Sequence, residues 1–203
     1  RTIRIKSGHA EVRVGATLLW DSDPIAEEEE TELKASAFLD ALRLPRRTTE
    51  TVASSSPADG KEVLLIDHMD SFVHTLANYL RQTGAQVVTQ RTGFPIEELV
   101  ASRPDLLVLS PGPGSPTDYG IGETIGAAVE LEIPVFGVCL GLQAIFEFFG
   151  GSLGQLDTPM HGKPSVISVE GGRLFDGLPK EFRAGRYHSL YAKEESVPDC
   201  LNV

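Results

Sequence analysis

The stretch Ile133-Pro134-Val135-Phe136-Gly137-Val138-Cys139-Leu140-Gly141-Leu142-Gln143-Ala144-Ile145-Phe146 decides the fold. Ile133, Val135, Phe136 and Val138 form a short β-branched and aromatic run that reads as a buried core strand. Leu142, Ala144, Ile145, Phe148 and Phe149 then recur at helical spacing until Gly150 and Gly151 stop the helix. At the join stands Gly137-x-Cys139-x-Gly141. A strand that turns sharply into a helix at a nucleophile needs a strained backbone there and small residues two positions to either side. The join also sets Cys139 at a helix N-terminus, where unpaired N–H groups and the positive dipole end are expected to favour thiolate. The competing reading is a cysteine serving as a small core hydrophobe. The two glycines, the strand before and the helix after favour the elbow.

Upstream of this stretch the pattern alternates strand and helix. VLLID (63–67), QVVTQ (86–90) and DLLVLS (105–110) read as strands. A helix capped by Asp70 or Ser71 carries Phe72, Val73, Leu76, Tyr79 and Leu80 and ends at Gly84; a shorter one runs from Pro95 to Ser102. Continuous apolar strands alternating with helices imply a mostly parallel sheet covered on both faces. Sites in such sheets lie at the carboxyl ends of the strands, where Asp67, Ser110 and Cys139 fall. The loop PGPGSP (111–116) lacks the lysine and hydroxyl of a phosphate-binding P-loop. Its glycines suit an oxyanion hole beside Cys139, with a plain proline-glycine turn as the alternative.

Downstream, MHGKPSVISVEGG (160–172) reads as a hairpin or a loop-strand-turn, and GRYHSLYA (185–192) as a strand with a polar centre. His188 is the tempting general base for Cys139. The local pattern does not separate it from a hydrogen-bonded strand histidine, and His9, His68, His74 and His161 have no better claim.

Composition bounds the class. A chain of 203 residues, 41% hydrophobic and 23% charged, has room for one α/β domain and a smaller piece. A net charge of −11 argues against nucleic acid and anionic membrane surfaces as partners. No apolar run is long enough to span a bilayer, and the first residues lack a signal-peptide core. Two cysteines, Cys139 and Cys200, make a disulfide framework unexpected and fit a reducing cytoplasm. The chain opens without methionine and in mid-pattern, so a fragment of a longer polypeptide is expected.

The first 44 residues read differently. Ile3, Ile5, Val12 and Val14 alternate with polar residues around Gly8, as in a hairpin. Asp23 caps a helix with Pro24 in its first turn, running from Ile25 to Leu44. Glu27 to Glu30 lie in its opening turns, either as a solvated acidic face or as a magnesium site, since Glu27 and Glu30 project from one face. Residues 45–61 are rich in Ser, Thr and Pro and form a linker. The expected domains are therefore 1–44 and 62–203.

With VLSPGPGSP (108–116), GVCLGLQAI (137–145) and GRYHSL (185–190) in this order, the second domain resembles the class I glutamine amidotransferases. DHMDSFVHTLANYL (67–80) is similar to their anthranilate synthase branch. Arg1-Thr2, Gly15-Ala16-Thr17 and DSDPIAEEEETELKA (21–35) resemble the end of a chorismate-utilising domain. The two halves joined in this order resemble fused, single-chain anthranilate synthases.

The resemblance implies a flavodoxin-like α/β domain preceded by a β-plus-helix remnant of the chorismate domain. It makes Cys139 the nucleophile toward L-glutamine, with the backbone N–H groups of Gly114 and Leu140 as the oxyanion hole. Gly112, Pro113, Gly114, Gln143, Ser189 and Leu190 would hold glutamine. Arg1, Gly15, Ala16 and Thr17 would contact chorismate, and Glu30 with Glu27 would bind Mg²⁺. The partner would be an upstream synthase domain of the same polypeptide, with a homodimer left open. Ammonia released from glutamine would convert chorismate to anthranilate and pyruvate. Three departures stand against the family pattern: Leu142 where histidine is frequent, Thr17 where a third glycine is usual, and no HPE motif, in which the family carries its catalytic histidine and glutamate. Two alternatives remain at this point: a phenazine-pathway 2-amino-2-deoxyisochorismate synthase, and a non-catalytic glutamine-binding or partner-docking module.

Overall fold

Leucine and β-branched residues crowd into four short runs after residue 61, and each run becomes a parallel strand in the computed structural model of the protein. The structure describes residues 2–7, 9–15, 23–25, 27–29, 31, 32, 35, 56–169 and 172–202. It divides into two compact units, Arg1–Ser54 and Ser55–Val203, with the division inside the segment read as a linker.

In the first unit, strands β1 (Thr2–Lys6) and β2 (His9–Arg13) form an antiparallel hairpin. In the backbone register Ile3 lies opposite Val12 and Ile5 opposite Ala10. Ser7 turns the chain with φ of 49°. Asp23 caps the following helical segment as expected: its Oδ1 accepts the Ile25 N–H at 2.9 Å, and its carbonyl accepts the Glu27 N–H at 3.0 Å. Gly15 is exposed, and a Cβ built there would meet nothing within 4 Å. Arg1, Ala16, Thr17 and Glu30 lie outside the described residues.

The second unit begins with β3 (Glu62–Asp67), α1 (Val73–Gln82), β4 (Gln86–Arg91), α2 (Ile96–Ser102) and β5 (Leu106–Leu109). It continues through α3 (Ile121–Glu130), β6 (Val135–Gly137) and α4 (Leu140–Phe148). The strand order is β4-β3-β5-β6, all parallel, with Leu65 beside both Thr89 and Val108. Alternate residues serve opposite faces. Leu64, Ile66, Leu107 and Leu109 pack with Leu99, Ile121, Ile125, Leu140 and Ala144 from α2, α3 and α4. Val63, Leu65 and Val108 pack on the other side with Val73, Leu76 and Ala77 of α1. Each fully buried Leu or Ile contributes about 1.5–3 kcal/mol. This is a parallel sheet covered on both faces, as the strand and helix pattern implies, and flavodoxin-like, as the resemblance implies.

Two local readings change. The run before Cys139 is not a strand buried on all sides. Among the described residues β6 pairs with β5 only, and Phe136 is 40% exposed at that edge. Residues 160–168 and 185–192 belong to one long antiparallel hairpin, β7 (Leu153–Ser168) with β8 (Glu181–Ala192). Its ladder is interrupted. Gln155 lies opposite Leu190 and Met160 opposite His188, so residues 156–159 bulge across from Ser189 alone.

The carboxyl ends of β3 and β5 are tied together by a buried histidine. The His68 N–H donates to Ser110 Oγ at 2.9 Å, and His68 Nδ1 lies 3.2 Å from the same oxygen. The Ser110 hydroxyl in turn donates to the Pro111 carbonyl at 2.7 Å. The Tyr119 ring meets the imidazole edge-on. Burial pushes the His68 imidazole below its ordinary pKa, against a hydrogen bond to the Ser110 backbone and the Asp67 carboxylate. A folded-state pKa below the unfolded value means the unfolded chain takes up the proton first. The stability from neutral His68 is therefore complete above about pH 6.5 and is lost as the pH falls through its folded-state pKa. Thermal melting followed from pH 7.5 to 5 should show a steeper loss for the wild-type protein than for His68→Gln, and parallel curves would contradict this account.

Candidate active site

The chemistry-bearing residues gather where β5 and β6 end. Cys139 has φ of 52° and ψ of −102°, a left-handed conformation that a side-chain-bearing residue adopts only under strain of about 1–3 kcal/mol. The neighbouring glycines permit it. A Cβ on Gly137 would fall onto the Gly141 carbonyl and 2.5 Å from the Leu142 nitrogen. One on Gly141 would strike the Leu109 carbonyl of β5 and stand 2.6 Å from the Leu109 Cβ. The spacing in Gly137-x-Cys139-x-Gly141 thus records how closely helix, edge strand and inner strand approach one another. Backbone bonds fix the turn: Val138 N–H to Leu109 O at 3.0 Å, Gly141 N–H to Val138 O at 3.0 Å, and Gln143 N–H to Cys139 O at 2.9 Å.

Cys139 is half-buried, and its thiol donates to the Tyr187 carbonyl with Sγ 3.8 Å from the oxygen. Burial pushes the thiol pKa above its ordinary value, and the Asp70 carboxylate adds to the rise. The Leu140 amide acts the other way. This corrects the expectation of a resting thiolate. The helix-terminal amide works in the expected direction, but burial outweighs it.

The thiol faces a cavity of about 260 Å³. Gly112, Pro113 and Gly114 of the loop, Gln143 of α4, and Ser189 and Leu190 of the hairpin line it together with Cys139. These seven residues, singled out from separate parts of the sequence, converge here; Leu140 is buried in the core at the start of α4. The 111–116 loop is tightly held. A Cβ on Gly112 would stand 2.5 Å from the Leu140 side chain and 2.8 Å from the His68 carbonyl. Gly114 has φ of 76° and lies against the Asp118 carboxylate, whose Oδ2 accepts the Ser115 N–H at 2.7 Å and its hydroxyl at 3.0 Å.

The hairpin supplies wall residues that sequence reasoning gave no role: Pro159, Met160, His161 and Tyr187. The His161 and Tyr187 rings meet edge-to-face, with centroids 5.0 Å apart. They lie opposite one another in the ladder, and that register is the only signal that would have paired them. His188 also lines the cavity, but both its ring nitrogens are engaged, Nε2 with Arg186 Nε at 2.9 Å and Nδ1 with the Leu190 carbonyl at 2.8 Å.

The parallel sheet and the strained cysteine between its edge strand and a helix define a class of protein with a cysteine elbow, and comparison with known proteins identifies the family. Residues 64–203 match the family described as glutamine amidotransferase class-I, and the chain belongs to that family. Over 208 aligned residues it is 54% identical to an anthranilate synthase of Azospirillum brasilense, covering all of this chain and 28% of that protein. It is 42% identical over 142 residues to the aminodeoxychorismate/anthranilate synthase component 2 of Bacillus subtilis strain 168, covering 70% of this chain and 73% of that one. Among solved structures, a glutamine amidotransferase of Thermotoga maritima shares the fold with a TM-score of 0.52 and 20% identity, covering 68% of this chain and 64% of that one.

A raised thiol pKa has a direct readout. The rate of Cys139 alkylation by iodoacetamide should still be climbing above about pH 8.5, the ordinary midpoint for a cysteine. A rate that levels off below pH 7 would contradict the balance drawn here between burial and the helix amide.

Proposed function

We propose that this domain hydrolyses L-glutamine at Cys139 and that the ammonia serves anthranilate synthesis. The observation that carries the reading is a strained cysteine facing a cavity shared by the Gly112–Gly114 loop, Gln143 and the Ser189–Leu190 backbone. The sulfur attacks the side-chain carbonyl carbon of glutamine, the N–H groups of Gly114 and Leu140 receive the oxyanion, and the C–N bond breaks to release ammonia. Water then cleaves the glutamyl thioester to glutamate and the free thiol. The thiol proton needs an acceptor. Where both ring nitrogens of His188 are already bonded, that histidine does not supply one, which accords with a base drawn from the HPE motif of the family.

The acceptor chemistry rests on the first unit. The Azospirillum relative aligns with the whole chain, residues before 55 included, whereas the component 2 relative covers 70% of it. This supports a synthase domain joined ahead of the amidotransferase in one polypeptide, with chorismate as acceptor, in a cytoplasmic enzyme. Arg1, Gly15, Ala16 and Thr17 are proposed for chorismate and Glu27 with Glu30 for Mg²⁺. Among the described residues no group of three or more His, Cys, Asp and Glu side chains could hold a metal ion, and Glu30 lies outside them.

Cys139→Ser in the complete enzyme should reduce glutamine-dependent anthranilate formation by at least about 1000-fold. Formation with ammonium chloride as nitrogen donor should stay within about 2-fold of wild type. Glutamine-supported activity that survives the substitution would sink the role of Cys139. An aminated product that retains its pyruvyl group would place the enzyme with the aminodeoxyisochorismate synthases.

A further inference from the structure

His188 is the histidine most readily taken for the partner of Cys139, and its surroundings point elsewhere. A backbone carbonyl can only accept a hydrogen bond, so the 2.8 Å contact with Leu190 O puts the proton on Nδ1. An arginine Nε can only donate, so the 2.9 Å contact from Arg186 makes Nε2 the acceptor. The two contacts together select one neutral tautomer. Protonating Nε2 would set an N–H against the Arg186 N–H and one cation against another. His188 is therefore poorly placed to take up the Cys139 proton.

The Leu190 carbonyl has a second donor, Gln143 Nε2, at 3.2 Å. Gln143 is 8% exposed and belongs to α4, the helix that begins at Cys139. One carbonyl thus joins the hairpin strand to the nucleophile's helix, under donors from both. The location matters because the β7–β8 ladder fails next to it, where Ser189 faces a four-residue bulge. Side-chain bonds there do what cross-strand pairing does elsewhere in the hairpin. Arg186 is itself held, with its guanidinium 3.5 Å from Ser165 Oγ on β7.

We propose that His188 is a positioning residue: its Nδ1–H, held in that tautomer by Arg186, clamps the Leu190 carbonyl and so orients Gln143 and the Ser189–Leu190 backbone toward glutamine. This deepens the glutaminase reading above and rests on it. The clamp acts on substrate binding and leaves the proton transfers at Cys139 to other groups.

The experiment compares His188→Leu, His188→Asn and His188→Gln in the complete enzyme, measuring kcat and KM for glutamine and the pH profile of Cys139 alkylation. Asparagine places an amide N–H near the position of Nδ1, and glutamine places one nearer Nε2. His188→Leu should raise KM about 10-fold while kcat changes less than about 3-fold. His188→Asn should restore KM to within about 3-fold of wild type, and His188→Gln should not. The alkylation profile should be the same in all three, and circular dichroism should confirm that they fold. A kcat loss of about 100-fold or more with KM unchanged, or a shifted alkylation profile, would make His188 the base and overturn the proposal. His188→Asn behaving like His188→Leu would overturn the clamp alone. A wild-type enzyme that neither hydrolyses glutamine nor is protected by it from alkylation would overturn the glutaminase reading, and the clamp with it.

Discussion

The contact on which the site depends is the approach of the first turn of α4 to the backbone of β5. Gly141 has no room for a side chain against the Leu109 carbonyl, and Gly137 has none against Gly141. With those two surfaces touching, the two residues between strand and helix must turn sharply, and Cys139, the second of them, takes a positive φ to do so. The hydrophobic core supports this geometry from below. Leu109, Leu140 and Ala144 are all buried in the cluster shared by β5 and α4. Strain at one residue is offset by packing at many, which is how a sparsely populated backbone conformation persists.

Much of this was legible in the sequence because it is written in local periods. The parallel strands, the helices between them and the elbow follow from apolar runs, helical spacing and glycine placement. The convergence of Gly112–Gly114 with Cys139 follows from the rule that sites lie at strand ends. The edge position of β6 was not legible, since a run such as Val135-Phe136 looks the same with one paired neighbour or two. The hairpin was read as two unconnected pieces because its strands are mostly half-exposed and its ladder is broken by a bulge. Neither feature leaves a clean two-residue period, so the wall residues His161 and Tyr187 were missed.

The protonation state of Cys139 was misjudged for a different reason. Proximity to a helix start can be read from a sequence, but burial and the nearby Asp70 carboxylate cannot. The resting site then favours the thiol over the thiolate, beside an imidazole with both ring nitrogens bonded. Deprotonation becomes a step for the working enzyme. Such a site keeps its sulfur less exposed to chance electrophiles between turnovers.

The four-residue bulge opposite Ser189 also has an evolutionary reading. It sits between two anchored pairs, Gln155 with Leu190 and Met160 with His188. Residues 156–159 can lengthen or shorten without moving either anchor, whereas a deletion within the ladder would turn every later side chain to the opposite face. The bulge is thus a spacer whose length could drift among descendants, altering the breadth of the pocket mouth while leaving its clamp and its nucleophile untouched.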